Sequence, residues 1–246
     1  MRAVVVLPTY EEAGNISALL REIRASTPSV RVIVVDDNSS DGTASIAERV
    51  GAEVGGVEVL RRAGKDGLTA AYQAGFTRAL EHGAEIVISM DADLSHDPRA
   101  LPVLIGTIED GADMAIGSRY MAGGRVVDWP AHRRALSRWG NRYANAALHL
   151  QLNDATSGYR AYRAAVIRDA GLGRVRASGY GFLIEMAYRV VCSGGKIVEI
   201  PIIFLDRRWG SSKISIRSIV EAAVLVTLWG TRDRVRAFVR RPPVIR

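Results

Sequence analysis

The sequence predicts an α/β fold, a mostly parallel sheet with helices on both faces, followed by a C-terminal amphipathic helix. Three observations lead there. Short unbroken apolar runs alternate with segments whose apolar residues recur at helical spacing. The runs are apolar at consecutive positions, as strands covered on both faces require. The ends of the runs carry polar and acidic clusters, where open α/β sheets place their ligands.

In chain order, residues 3–7 form an apolar run closed by Pro8 and read as a first strand. Ile16, Leu19, Leu20 and Ile23 then recur at helical spacing. Residues 32–35 are a second buried strand ending in Asp36-Asp37, and 43–50 a helix. Residues 54–60 read as a third strand, weakened by Gly55-Gly56, and 68–80 as a helix. Residues 86–90 are a fourth strand ending in Asp91; a helix over 99–108 and a strand over 114–116 follow. The Gly-rich, basic stretch 117–134 reads as a loop. Residues 136–150 and 182–191 have helical patterns, 158–162 suggests a return to the sheet, and 196–200 is a strand stopped by Pro201. Residues 214–229 form an apolar helix candidate.

With 246 residues, 48% hydrophobic and 24% charged, the chain fits a large globular domain and excludes disordered and collagen-like classes. Residues 1–213 read as the main domain and 214–246 as an apolar and basic appendage. A lone cysteine, Cys192, excludes an internal disulfide framework and a multi-thiolate zinc site. Its apolar surroundings predict a buried, inert thiol. The apolar run after Met1-Arg2 is too short for a secretory signal, and no run reaches the roughly 18 residues of a membrane span. Residues 219–230 come nearest and are interrupted by Glu221.

The formal net charge is +7, yet residues 207–246 hold ten basic residues against two acids, so the rest of the chain is close to neutral. Basic residues bracketing an apolar stretch suit an anionic membrane surface. A solvated charged tail is the plainer alternative. Nucleic-acid motifs are absent, so no nucleic-acid partner is expected. The apolar face of the last helix (Ile214, Ile216, Ile219, Val220, Ala223, Val224, Val226, Thr227 and Trp229) has two open readings: burial in a membrane interface, or packing on the body or a second subunit.

Asp91-Ala92-Asp93 is the sharpest motif. Two carboxylates two residues apart, just past a buried strand, converge on a hard cation such as Mg²⁺ or Mn²⁺ if the chain bends there. A solvated turn is the alternative. Asp36-Asp37 forms a second acidic pair that needs donors or a cation, while Asp41 or Ser40 is placed to cap the helix starting at Thr43. Walker A, G-x-G-x-x-G, H-E-x-x-H and G-x-S-x-G patterns are all absent.

The segments Val5-Val6-Leu7-Pro8-Thr9-Tyr10-Glu11-Glu12, Val34-Val35-Asp36-Asp37-Asn38-Ser39 and Met90-Asp91-Ala92-Asp93-Leu94-Ser95-His96-Asp97-Pro98 resemble family 2 inverting glycosyltransferases. Gly117-Ser118-Arg119-Tyr120, Thr156-Ser157-Gly158-Tyr159-Arg160, Gly179-Tyr180-Gly181-Phe182 with Glu185, and Asp206-Arg207 with Gly210, Ser212 and Lys213 resemble the polyprenol-phosphate (dolichol-phosphate) mannose synthases within it. The resemblance spans roughly residues 3–215. It implies a GT-A (Rossmann-like) fold, GDP-mannose as donor and a polyprenyl or dolichyl phosphate as acceptor.

By position, the resemblance places Pro8, Tyr10, Glu11, Asp36, Asp37, Lys65 and Ala92 at the donor nucleotide, with Arg207 and Lys213 on its phosphates. It places Asp91 and Asp93 on Mg²⁺ or Mn²⁺. Ser95 stands where the family often has Gln and is a shorter, weaker metal ligand. Arg119, Arg133 and Ser137 fall where the family grips the acceptor phosphate, and Asp91, Asp93 and Arg119 carry the catalysis. Thr69 replaces a usual Gly in the segment from Lys65 to Tyr72. Plainer readings stand beside these: a surface ion pair for Arg119, a core aromatic for Tyr10, solvated charges for Arg133 and Arg134, and an arginine partner rather than a sugar hydroxyl for Glu185.

A phosphate acceptor is already anionic and needs cations more than a general base, which matches a sequence without an evident catalytic His or Ser–His pair. The resemblance also implies a peripheral position on the cytoplasmic face of a membrane, with a membrane-protein partner or a homo-oligomer as open arrangements. The competing readings are a polyprenyl-phosphate glucosyltransferase using UDP-glucose, a transferase with a glycan acceptor, and a non-catalytic nucleotide-sugar-binding membrane protein. Arg119, Arg125, Arg133 and Arg134 against a single acid, Asp128, favour a phosphate acceptor over a glycan hydroxyl.

Overall fold

The computed structural model describes residues 1–171, 175, 177–206 and 216–239. Its main sheet has seven strands: β1 (Ala3–Thr9), β2 (Arg31–Asp36), β3 (Val57–Arg61), β4 (Ile86–Ser89), β5 (Met114–Ser118), β7 (Arg160–Arg163) and β8 (Ile197–Pro201), in the order β3-β2-β1-β4-β7-β5-β8. Only β7 runs antiparallel, against both β4 and β5. The helices are α1 (Ile16–Ser26), α2 (Thr43–Val54), α3 (Leu68–Glu81), α4 (Leu101–Glu109), α5 (Ala131–Leu148), α6 (Ala164–Asp169), α7 (Tyr180–Cys192) and α8 (Ile216–Val239). Two short strands, β6 (Arg125–Val126) and β9 (Ile203–Phe204), pair beside the main sheet.

Alternate strand residues divide between two cores, as the period of two demands. Val4, Val6, Ile33 and Val35 join α3, α5 and α7 on one face. Val5, Leu7, Val32 and Val34 join α1, α2 and α4 on the other. Because β1, β2 and β4 are parallel neighbours, their carboxyl ends open on one side of the sheet; Thr9 pairs with Asp36 in register. The acidic clusters that follow β1, β2 and β4 are thereby gathered at one end of the sheet.

Several boundaries differ from expectation. Helix α2 runs through Val54, and β3 starts only at Val57, because Gly55 and Gly56 both take positive φ (70° and 69°) and turn the chain between them. The stretch 117–134 is not all loop: it contains β6, and α5 begins at Ala131 directly after Pro130. Pro201 does not end the strand before it but is its last residue, and the chain resumes pairing at Ile203. The N-cap of α2 is Gly42, at φ 88° and without a side-chain cap, rather than the expected Asp41 or Ser40; Asp41, one residue earlier, accepts from the Thr43 amide and the Ala13 amide, both at 3.0 Å, which ties the β1 loop to the helix. Cys192 is exposed, not buried, since it ends α7 where the helix meets solvent.

Helix α8 packs against α5 and α7. Ala222 and Val226 are buried there, Trp229 stacks on Tyr188 with centroids 5.8 Å apart, and Glu221 accepts from the Ser178 hydroxyl at 2.8 Å. Val226 and Trp229 therefore face the protein body, whereas Val220, Val224 and Leu228 stay exposed along the opposite side. Among the described residues, no helix is long and apolar enough to cross a membrane.

Candidate active site

The strand ends form a cleft of about 410 Å³. Of the residues assigned from the sequence, Pro8, Tyr10, Asp37, Lys65, Asp91, Ala92, Asp93, Arg119 and Arg133 all line it. Arg207 and Lys213 lie outside the described residues. Glu11, Asp36, Ser95 and Ser137 do not line it; Asp36 and Glu11 hold the loops behind it.

Asp36 is 2% exposed and accepts from Thr9 Oγ1 at 3.0 Å and from the Ser39 hydroxyl and amide at 2.7 and 3.0 Å. It braces the turn after β2 and does not line the cleft. Glu11, at φ 58°, accepts from Ser40 Oγ at 2.8 Å and staples the β1 loop to the β2 loop. The next residue, Glu12, does line the cleft, a position the sequence reading passed over. Asp37 is held by Arg62, which also reaches Asp66 at 2.8 Å. Burial raises the Asp37 pKa more than the Arg62 charge lowers it. The Lys65 ammonium sits 3.6 Å from the centroid of the Tyr10 ring, so cation and aromatic face the cleft as one unit.

The bend that Asp91-Ala92-Asp93 required is present. Leu94 takes φ 61°, an uncommon conformation for a non-glycine residue, and it keeps both carboxylates on the cleft wall. Asp93 Oδ1 accepts from the Ser95 amide at 3.1 Å; the Ser95 side chain is buried and does not line the cleft. Gly158 lies against Asp91: a Cβ there would come within 3.3 Å of Asp91 Oδ1, so a bare backbone leaves this oxygen room. Tyr72 reaches the same oxygen at 3.4 Å.

His96 was not assigned a role from the sequence and belongs to this wall. Its Nδ1 accepts from the Asp91 amide at 3.2 Å, which leaves the proton of the neutral ring on Nε2. Burial lowers its pKa and outweighs the nearby Asp91 and Asp93 charges, so the ring is neutral at pH 7. It stacks on Tyr159 at 4.8 Å.

The donor set fits Mg²⁺ or Mn²⁺. Two carboxylates share one wall, and no cluster of three or more His, Cys, Asp or Glu occurs among the described residues. Such cations take one or two carboxylates and leave their remaining positions to water and phosphate oxygens.

Arg119 is not a surface charge. It is 4% exposed, and its Nε and Nη2 meet Asp154 Oδ2 and Oδ1 at 2.6 and 2.7 Å. Nη2 also reaches Thr156 Oγ1 at 2.8 Å. The bidentate edge expected to grip a phosphate is thus occupied by a carboxylate from the chain itself. Burial pushes the Asp154 carboxyl up, but the Arg119 charge and its hydrogen bonds outweigh burial and hold it below the usual carboxylate range. Glu199 on β8 fixes the loop by accepting from the Asn153 and Asp154 amides, both at 2.8 Å. Glu185 follows its plainer reading and pairs with Arg189 one turn later, at 2.6 Å.

A second cavity of about 340 Å³ adjoins the cleft between α5 and α8. It is walled by Leu136, Trp139, Tyr143, Ile219, Ala223 and Val226, and Ser137 opens into it. Trp129, Arg133 and Thr156 line both cavities and mark where the polar cleft passes into the apolar groove. Arg133 lies over the Trp129 ring at 4.0 Å and pairs with Asp206 at 3.1 Å.

A doubly wound sheet whose strand ends gather Asp37, Asp91, Asp93, Arg119 and Arg133 around one cleft has the architecture of an α/β enzyme of the nucleotide-sugar type. The model of the family Glycosyl transferase family 2 matches residues 4–171, and the chain belongs to that family. It is 44% identical over 234 residues to a protein of Micrococcus luteus named undecaprenyl-phosphate mannosyltransferase, covering 95% of this chain and 96% of that protein. It is 42% identical over 243 residues to the polyprenol monophosphomannose synthase of Mycolicibacterium smegmatis, covering 97% and 92%. A solved structure of glucosyl-3-phosphoglycerate synthase from Mycobacterium tuberculosis, in complex with Mn²⁺, UDP and glucosyl-3-phosphoglycerate, shares the fold with a TM-score of 0.66 at 20% identity, over 95% of this chain and 79% of that one.

Proposed function

We propose that this glycosyltransferase moves mannose from GDP-mannose to a polyprenyl monophosphate, with inversion, at a membrane surface. The observation that carries the reading is the junction at Arg133, Thr156 and Trp129, where a polar cleft holding Asp91 and Asp93 opens into an apolar groove. A sugar or glycan acceptor has no use for that groove. An acceptor with an anionic head and an isoprenoid body has a use for both. The names of the two bacterial relatives agree with it.

In this reading Tyr10, Lys65 and Asp37 hold the nucleoside end of the donor. Asp91 and Asp93 hold a divalent cation, which when bound stabilises the charge that develops on the leaving diphosphate. Arg133 receives the acceptor phosphate, and Ser137, one turn further along α5, faces the same groove. Arg119, fixed by Asp154, contributes a preorganised positive charge to the wall rather than a free fork. The acceptor oxygen is anionic at neutral pH, so alignment and charge supply the catalysis and no side chain has to remove a proton. Val220, Val224 and Leu228, with Leu136 and Trp139, give the groove an apolar exterior suited to the interface, on the cytoplasmic face where nucleotide sugars are available.

The test is transfer of radiolabel from GDP-mannose into the organic phase with a short polyprenyl phosphate and Mg²⁺ or Mn²⁺. Label that requires the cation and disappears in the Asp91→Ala/Asp93→Ala variant is the expected result. Label from UDP-glucose but not from GDP-mannose would replace mannose by glucose.

A further inference from the structure

Trp129 stands where the cleft meets the groove and lines both. Asp128 before it takes φ 64° and Pro130 after it opens α5, so the chain turns sharply and carries the indole inward. The residue is 5% exposed. Its ring is fixed by the Arg133 guanidinium at 4.0 Å, that of Arg119 at 5.5 Å, and Phe204 meeting it edge-on at 5.3 Å. Nothing accepts from its Nε1: that atom is buried and has no hydrogen-bond partner among the described residues. An indole N–H only donates, and a buried donor without an acceptor is unfavourable until one arrives. Ser118 Oγ and Tyr120 Oη are also buried without partners, but those residues line neither cavity.

We infer that the Trp129 Nε1–H is a further acceptor-binding group, donating to a phosphate oxygen of a lipid monophosphate whose chain enters the α5–α8 groove. The inference deepens the function proposed above and rests on it for the identity of the lipid. A ligand seated at this junction needs an acceptor oxygen for the buried N–H and apolar substance beyond it. The indole meets the first with a hydrogen bond and the second with its ring. Being neutral, it adds a directed donor without burying another cation.

The experiment is calorimetric titration of wild type and Trp129→Phe with citronellyl phosphate, citronellol and inorganic phosphate. Phenylalanine keeps an aromatic face for Arg133 and removes the N–H. The variant should bind citronellyl phosphate and inorganic phosphate about tenfold or more weakly and bind citronellol unchanged. Unchanged affinity for citronellyl phosphate, an equal loss for citronellol, or no saturable binding by wild type would overturn the inference. If the variant fails to fold, the indole proton of Trp129 in ¹⁵N-tryptophan-labelled wild type decides instead, assigned by elimination with Trp139→Phe, Trp209→Phe and Trp229→Phe. It should move downfield with citronellyl phosphate and stay in place with citronellol; a stationary resonance refutes the hydrogen bond. Binding that depends on the N–H without mannosyl transfer would keep this inference and remove the proposed function. Undiminished binding and transfer in Trp129→Phe would do the reverse.

Discussion

Asp154 and Arg119 make a buried ion pair in which the carboxylate is fully used. Oδ1 accepts from Arg119 Nη2, Thr156 Oγ1 and Asn141 Nδ2, and Oδ2 from the Arg119 backbone and Nε. Removing one partner of such a pair leaves a buried charge unmatched, which costs about 3–5 kcal/mol, whereas replacing both by apolar groups is close to neutral. Asp154→Asn should therefore lower stability in urea by that amount, and Arg119→Met/Asp154→Leu should recover most of it. The double variant should still lack transferase activity if the fixed charge of Arg119 serves catalysis; a folded, active double variant would reduce the pair to a structural role. The pH dependence has a definite sign. The folded-state pKa of Asp154 lies below its unfolded value, so its contribution is complete above about pH 4 and disappears as pH falls through the lowered folded-state value. Wild type should lose stability through that acid window, and the double variant should show a flatter acid limb in unfolding midpoints measured against pH.

Among the elements, α8 has two faces with different tasks. Ala222 and Val226 bury against α5 and α7, while Val220, Val224 and Leu228 repeat every fourth residue on the exposed side, with Trp139 of α5 also 57% exposed. A carboxylate at two of those exposed positions leaves the core contact untouched. Val224→Asp/Leu228→Asp should abolish co-sedimentation with neutral lipid vesicles while leaving the melting temperature unchanged and transfer to water-soluble citronellyl phosphate within about twofold of wild type. Loss of soluble-acceptor activity would mean that the stripe supports the fold or the groove and not the membrane contact. The sequence alone groups Val220 and Val224 with Val226 and Trp229 in one apolar face; the structure divides them, with Val226 and Trp229 on the body and Val220 and Val224 exposed, because periodicity does not show which part of a broad apolar surface meets the body. The parallel strands were legible for the opposite reason: residues 3–7 and 32–35 are short, doubly buried runs that end in Pro8 and Asp36. The antiparallel β7 was visible only as a return to the sheet, since direction is set by partners far away in sequence. The same distance hid Asp154, 35 residues from Arg119 in a segment with no periodic signal, and His96, whose neighbours Asp91 and Tyr159 meet it only in three dimensions.

Across the whole molecule, charge and apolar surface are distributed unevenly, and on the proposed function this sets how vesicle binding should depend on salt. The segment 207–246 carries ten basic residues against two acids, and the rest of the chain is almost neutral. Two terms then contribute to docking. Burial of the exposed apolar stripe depends little on salt, whereas attraction of arginines to anionic headgroups amounts to about 1 kcal/mol per residue near the surface and is screened over about 10 Å at 0.1 M salt. Wild-type binding to vesicles containing phosphatidylglycerol should accordingly weaken with added NaCl yet reach a plateau set by the apolar term. Neutral phosphatidylcholine vesicles should bind at that plateau from the start. Arg240→Ser/Arg241→Ser should weaken binding to anionic vesicles by about tenfold or more at low salt and flatten the salt dependence, with no change on neutral vesicles. Val224→Asp/Leu228→Asp should do the converse, lowering the plateau itself. If the arginine variant instead weakens transfer to citronellyl phosphate without vesicles, its charge acts on the phosphates inside the cleft. The basic segment would then belong to the transfer site, and the apolar stripe alone would have to account for membrane contact.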